Sequence, residues 1–314
     1  MAVPELINLA SLIDDAKCYD LIRQHRWPDG VRCPGCSGQA VIRDGHDEKQ
    51  RHRQRYRCKG CGGRFDDLTG TILAGHHQPL RVWVLCLYFM GLNLSNLQIA
   101  RELDLNEDDV HSMASCLREG LVAKAPEVKL EGVVEIDEVY VVAGHKGNPA
   151  ATQKKGRAGR CRRLKGAPGR GTLEKEKPPI LGLIQRGGQV VLHMLSNVQQ
   201  KTIKPIIEAA VAKGSQLYTD EYDIYARLPA WGYRHQTVCH SAGEYARDED
   251  GDGFHEIHVN TMEGFWSLLR SWLRPHRGIS QEKLPIYLGF FQFVHNARKR
   301  GKQLLAALVG ALVT

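Results

Sequence analysis

The sequence predicts an α/β chain in which a small cysteine-knuckle module and a helical region precede a strand-rich domain. Three observations carry this. CPGC and CKGC form two Cys-x-x-Cys pairs near the start, at Cys33, Cys36, Cys58 and Cys61. From 80 to 123 apolar residues recur with helical period. From 131 onward short β-rich runs alternate with helical stretches. At 314 residues the chain can hold a full core and two or three structural units.

Residues 1–30 read as a helical segment. Leu9, Leu12 and Ile13, then Leu21 and Ile22, make one stripe, which predicts a helix over 6–24. RWPDGVRCPGC is a turn-rich entry to residues 31–70. There the two cysteine pairs stand with 21 residues between them. Each pair lets two thiolates reach one ion from a tight turn, with Gly35 and Gly60 expected to permit that turn. Four thiolates close a tetrahedral Zn2+ site with no open position, so the zinc is structural. A redox pair is the competing reading, and two pairs at ribbon spacing disfavour it. QAVIR and RQRYRCKGCGGRF supply short strands. His46 and His52 are not expected to compete as ligands. The basic hairpin between the pairs suits nucleic acid or plain solvation. The five other cysteines, 18, 86, 116, 161 and 239, have no partner spacing.

Residues 71–125 are helical and resemble a helix-turn-helix. Ile99 and Ala100 pack one helix, Leu105 marks a turn, and Val110 and Met113 open the next, with Ser95 and Asn106 as N-caps. The second helix starts EDDVHSM, acidic at the end that would meet phosphate. DNA contact and a purely structural or dimerising role both stand.

Residues 130–300 form the α/β domain. VVEIDEVYVV is a buried strand, PPILGLIQRGGQVVLHML a hairpin turning at Gly187 and Gly188, and SQLYTD and RHQTVCH further strands. Helices are expected near 199–212, 261–273 and 281–299. The insert at 145–177 holds eleven Lys or Arg and two Glu, so this stretch alone carries +9 of a net charge of +8. A basic coat over the whole surface is excluded, and one basic element suited to phosphate is implied.

Three acids stand out. Asp137 interrupts an apolar strand, which is costly unless the charge is paired or binds metal. Asp220 ends a strand, and Glu263 sits in the first turn of NTMEGFWSLLRSWLR. With about 100° per residue, Arg270 returns to the side of Glu263, while Phe265, Leu268, Leu269 and Trp272 form the opposite, apolar stripe. The three acids can converge to hold two Mg2+ ions for in-line phosphoryl transfer, with Arg270 gripping a phosphate. Each also has a plain alternative: a salt bridge for Asp137, a helix cap for Asp220, a solvated face for Glu263.

EIDEVYV, LYTDEYDIY and HVNTMEGFWSLLR resemble the DDE motifs of bacterial insertion-sequence transposases with an N-terminal zinc ribbon, and RWPDGVRCPGC with FDDLTGTIL resembles that family's ribbon. The likeness runs from about 20 to 300. It implies an RNase H-like core, a mixed sheet flanked by helices. It also implies recognition of terminal inverted repeats, Mg2+- or Mn2+-dependent strand cleavage, and joining of the 3′-hydroxyl to target DNA. Asp137, Asp220 and Glu263 match the catalytic acids, with Asn260 the alternative third residue; Arg270 matches a basic residue of the motif. His258 is a further candidate for lining the site. A homo-oligomer is implied because two ends must be held together. Two features depart from the pattern. The insert is long, and RDEDGDGFHE at 247–256 opens like a calcium loop but has Val259 where Glu is required, so a flexible loop is expected.

A DNA-binding regulator without chemistry competes, but all three acids are present. A nuclease that never joins competes too, and strand-transfer assays separate it. No apolar run reaches the roughly 20 residues of a membrane helix, and the odd cysteine number and missing basic leader favour a reducing cytoplasmic, nucleoid-associated location.

Overall fold

The computed structural model describes residues 14–156, 170–239, 242–249, 251–253, 255–299 and 303–313. Leu9, Leu12, Ile13, Cys161 and the middle of the basic insert lie outside the described residues. The chain divides into two compact units, residues 1–125 with 301–314, and residues 126–300.

In the first unit, helix α1 (Asp15–Arg26) starts after Asp14, whose carboxylate accepts from the N–H of Ala16 at 2.8 Å. Strands β1 (Val41–His46), β2 (Gln54–Cys58) and β3 (Arg64–Asp66) form an antiparallel sheet in that order. Along β2, Gln54, Tyr56 and Cys58 are buried while Arg55 and Arg57 face solvent, the period-two pattern of a half-buried strand. The sheet is tied to α1 through buried Asp67. Its carboxylate accepts from Arg23 at 2.8 Å, the Tyr56 hydroxyl at 3.0 Å and the Gln54 N–H at 2.7 Å.

Helices α2 (Leu80–Gly91), α3 (Asn96–Leu103) and α4 (Glu107–Lys124) follow. Ser95 and Gln98 close a capping box on α3, and the Asn106 side chain caps α4 at 2.8 Å. Sequence periodicity does not single out the last helix of this unit, α9 (Leu304–Val313). Its sequence LLAALVGALV is apolar all round, so it shows no amphipathic period, and it is buried against α1, α2 and α4. Gly91 admits it: a Cβ there would crowd Leu304 and Leu308.

The second unit is built on a five-stranded mixed sheet, ordered β6-β5-β4-β7-β8. Strands β4 (Val133–Tyr140), β5 (Pro179–Gln185) and β6 (Val190–Met194) are antiparallel, while β7 (Gln216–Asp220) and β8 (Arg234–Val238) run parallel to β4. The short helix α5 (Pro149–Lys154) lies in the insert, and α6 (Gln200–Ala210) makes the crossover from β6 to β7. Ile203 and Ile207 of α6 bury against Val134, Ile136, Leu181 and Leu183, one face of the sheet. Residues of opposite parity, Glu135, Asp137 and Gly182, meet α7 (Asn260–Leu273) on the other face. The sheet is therefore flanked by helices on both sides, the RNase H-like arrangement.

The edge strand β6 is covered by α8 (Leu284–Lys299). Asn296 exchanges bonds of 2.8 Å with both backbone groups of Val190, and Gln292 accepts from the N–H of Leu192 at 2.8 Å. Between β8 and α7 lies a small hairpin, β9 (Ala246–Arg247) and β10 (Ile257–His258). Its acidic loop closes on Asp248, whose carboxylate takes the N–H groups of Gly251 at 2.6 Å and Gly253 at 2.8 Å. Helix α9 (Leu304–Val313) returns to the first unit. Among the described residues, no helix is long and apolar enough to cross a membrane.

Candidate active site

Asp137 lies on β4 opposite Gly182 of β5. The pairing decides how closely α7 approaches, because a Cβ on Gly182 would run into Met262 and Trp266. With glycine there, Trp266 lies down on the sheet and its indole N–H donates to Asp137 Oδ2 at 2.8 Å. Burial pushes the Asp137 carboxyl up to about 6; Trp266 and the Glu138 N–H pull the other way, and the charges of Asp220 and Glu263 push up again. Both of those acids therefore stand within electrostatic reach of Asp137. Asp220 is the last residue of β7, and its carboxylate accepts from the Tyr222 N–H at 3.1 Å. Glu263 is exposed in the first turn of α7.

A cleft of about 570 Å³ brings together Asp137, Glu138, Tyr140, Glu263, Trp266 and Arg270, with Arg170 and Lys177 from the end of the basic insert; Asp220 is not among its lining residues. Arg270 shares this lining with Glu263, two turns away on the same helix. Asn260 opens α7 with its N–H on His258 Nδ1 at 3.3 Å, and of the two α7 candidates the cleft lining includes Glu263.

The apolar stripe of α7 differs from the expected one. Met262, Phe265, Trp266, Leu269 and Trp272 are buried, whereas Leu268 is 50% exposed. The helix rolls toward Trp266 because that indole has a partner on the sheet, and Leu268 turns outward.

Three residues important to the site, Glu135, Arg186 and Glu138, are not singled out as site candidates by the sequence, whereas His258 is. Glu135, one strand period before Asp137, is fully buried and accepts from Arg186 Nε at 2.7 Å and from the N–H of Met262 at 2.9 Å. It thus fixes the start of α7. Arg186 also donates to the carbonyls of Glu256 at 2.6 Å and His258 at 3.0 Å, which clamps the β9–β10 hairpin. His258 is half-buried, with Nδ1 at 3.3 Å from Glu135, and its pKa is lowered by burial first and then by Arg186. Glu138 takes the hydroxyl of the fully buried Tyr225, and burial, helped by Asp137 and Asp220, lifts its carboxyl to about 8. Acids inside the EIDE run were the available hint; which of them face α7 required the strand's parity and partners.

The cysteine knuckles fit a zinc ion. All four Sγ atoms lie within 4.8 Å of one another, with Cys33–Cys61 and Cys36–Cys58 at 3.6 Å. Four bonds of about 2.3 Å in a tetrahedron place sulfurs about 3.8 Å apart. The N–H groups of Cys36 and Gly35 lower the Cys33 thiol, and those of Cys61 and Gly60 hold Cys58 at about 7, which favours thiolates. Gly38 lowers Cys36 likewise, but the crowd of neighbouring sulfurs raises it to about 12, a repulsion that a cation relieves. One expectation is corrected. The left-handed turn positions are Ser37 (φ 58°) and Gly62 (φ 73°), not Gly35 and Gly60, because each knuckle reverses after its second cysteine.

The chain is similar to known proteins along most of its length. Residues 129–296 match the ISXO2-like transposase domain and residues 13–64 the transposase zinc-ribbon domain. A Halobacterium salinarum protein, described as an uncharacterized protein in transposable element ISH50, is 34% identical over 308 residues, 97% of this chain and 99% of its own length. An uncharacterized transposase-like protein of Haemophilus influenzae is 28% identical over 95 residues, 30% of this chain and 71% of its own. Among solved structures, a chain of a simian T-cell lymphotropic virus intasome bound to PP2A regulatory subunit B56 gamma aligns over 66% of this chain and 67% of its own, at 8% identity and a TM-score of 0.28, too low to bear on the fold. The relatives come from an archaeon and a bacterium, so the bacterial restriction in the sequence resemblance falls away.

Proposed function

This chain belongs to the ISXO2-like DDE transposases with an N-terminal zinc ribbon, and on that premise we propose that it binds the terminal inverted repeats of its insertion sequence, cleaves a strand there and joins the freed 3′-hydroxyl to target DNA, with Asp137, Asp220 and Glu263 as its catalytic acids. What supports this reading is that Asp137 of β4 and Glu263 of α7 line one cleft, and that the charges of Glu263 and of Asp220, at the end of β7, act on Asp137. Such an all-oxygen, mutually repelling donor set suits hard divalent cations. Bound there, two Mg2+ or Mn2+ ions would supply Lewis-acid activation of the attacking oxygen and charge neutralisation at the leaving oxygen.

The chain's own residues supply the rest. Trp266 holds one oxygen of Asp137 and so fixes how its carboxylate is presented. Glu135 anchors the helix that carries Glu263. Arg270, on the cleft wall, has the planar fork to take a phosphate bidentately and position the backbone. In cleavage, water attacks the scissile phosphorus and the 3′-oxygen leaves as a hydroxyl; in joining, that hydroxyl attacks a target phosphodiester and displaces its 3′-oxygen. The +9 insert supplies charge for the backbone, and the ribbon and helical region bind the ends. Two ends held together require an oligomer in the active complex.

The test uses DNA bracketing the gene as end substrate. Asp137→Asn is expected to reduce Mg2+-dependent cleavage below detection while end binding in a gel shift stays within about twofold; retained cleavage would sink the assignment. Glu263→Gln should match that loss, with Asn260→Ala near wild type, and the reverse result would make Asn260 the third residue. Cleavage without any strand-transfer product would make the protein a nuclease instead.

A further inference from the structure

The described end of the basic insert brings a flat cation to the cleft. Arg170 and Lys177 line it together with Tyr140. The Arg170 guanidinium carbon stands 3.6 Å from the ring centre of Tyr222, a stacking distance. Tyr222 is itself held in place: its N–H is bonded to the Asp220 carboxylate at 3.1 Å, and its half-buried side chain packs against the core of the α/β unit. Arg170 is exposed. Its charge reaches both Glu138 and Tyr140, and the Tyr140 ring lies 6.0 Å from Lys177 Nζ.

A guanidinium resting by one face on a tyrosine leaves its other face for a second planar group. On a DNA strand that group is a nucleobase, and only an unpaired base offers its full face. Phosphate asks for positive charge and hydrogen-bond donors, which Lys177 and Arg270 already bring to the same cleft. The planar stack is what arginine adds here and lysine would not.

We propose that Arg170, seated on Tyr222, forms a stacking site for an unpaired nucleobase of the strand in the cleft, with Lys177 taking an adjacent phosphate. This rests on the cleft being where DNA is cut, and it deepens that reading. The strand is engaged with at least one base out of the duplex beside Asp220, which makes the distortion of the end part of recognition.

The experiment measures binding by the full-length, zinc-loaded protein in fluorescence anisotropy. Three labelled probes are compared: an oligothymidylate of about 15 nucleotides, an abasic strand of the same length, and a duplex of the same length. Wild type is expected to prefer the base-bearing strand over the abasic one by about tenfold, the scale of one stacked base. Arg170→Lys keeps the charge and should abolish that preference, lowering affinity for the base-bearing strand more than for the duplex. Tyr222→Leu should do the same, and Tyr222→Phe should keep the preference, since the ring and not the hydroxyl carries the guanidinium. Arg170 is exposed, so its variant is informative whether or not Tyr222→Leu folds. A wild type indifferent to bases overturns the idea. So does an Arg170→Lys protein with the full preference, or one that loses affinity equally for both strands. Binding is read without cleavage, so a negative result here leaves the Asp137→Asn test standing.

Discussion

Asp137 carries a charge that the folded protein, taken without divalent metal, disfavours. Burial foremost, then Asp220 and Glu263, hold its carboxyl at about 6 against an ordinary 3.8. Between those values the native state keeps a proton that the unfolded chain has released, so stability falls as pH rises through that window. The gap corresponds to at most about 3 kcal/mol at neutral pH. In Mg2+-free buffer, Asp137→Asn should therefore raise the melting temperature of the α/β unit at pH 7 and leave it unchanged near pH 4, where the native aspartate is already protonated. Scanning calorimetry at the two pH values checks this; an equal shift at both would show that the folded state does not hold the Asp137 carboxyl above its ordinary value. The same substitution is the one expected to end cleavage, so on the proposed function Asp137 costs the fold stability for the sake of the chemistry.

At the scale of elements, the site depends on how closely α7 lies on β4 and β5. Gly182 sets that distance, and Glu135 and Trp266 hold the helix from its first turn and its middle. Gly182→Ala should overpack this contact, costing about 1–3 kcal/mol or more, seen as a lower urea midpoint. It should also reduce cleavage well beyond what the stability loss explains, because Glu263 moves with the helix; unchanged cleavage would show that the register of α7 is not critical. The helix as an element was legible in its periodicity, and so were the strands bearing Asp137 and Asp220. Its rotation was not. Leu268 and Trp266 both fit an apolar stripe, and the choice fell to an indole N–H that finds Asp137 across 129 residues of sequence.

At the scale of the molecule, the chain's two compact units make the zinc site testable apart from the chemistry. Cys58→Ser leaves three thiolates and should drop the zinc content from one per chain to near zero. Amide-exchange protection should vanish across β1–β3 and persist in β4 and β5, and end binding should weaken. Native protein without zinc, or loss of protection in both units together, would contradict this division.

What the sequence determined by itself were the features set by local spacing: the cysteine knuckles, the alternation of strands and helices, the caps at Ser95 and Asn106, and the three acids with their flanking motifs. These are legible because a few neighbouring residues and one period suffice to specify them. The tertiary structure alone decided that Glu135 serves α7 while Glu138 turns to Tyr225, that Gly182 lets Trp266 down onto Asp137, that α9 is buried in the first unit, and that Arg170 rests on Tyr222. Each of these joins residues far apart in the chain, where no periodicity records the partner and only close packing in space selects it.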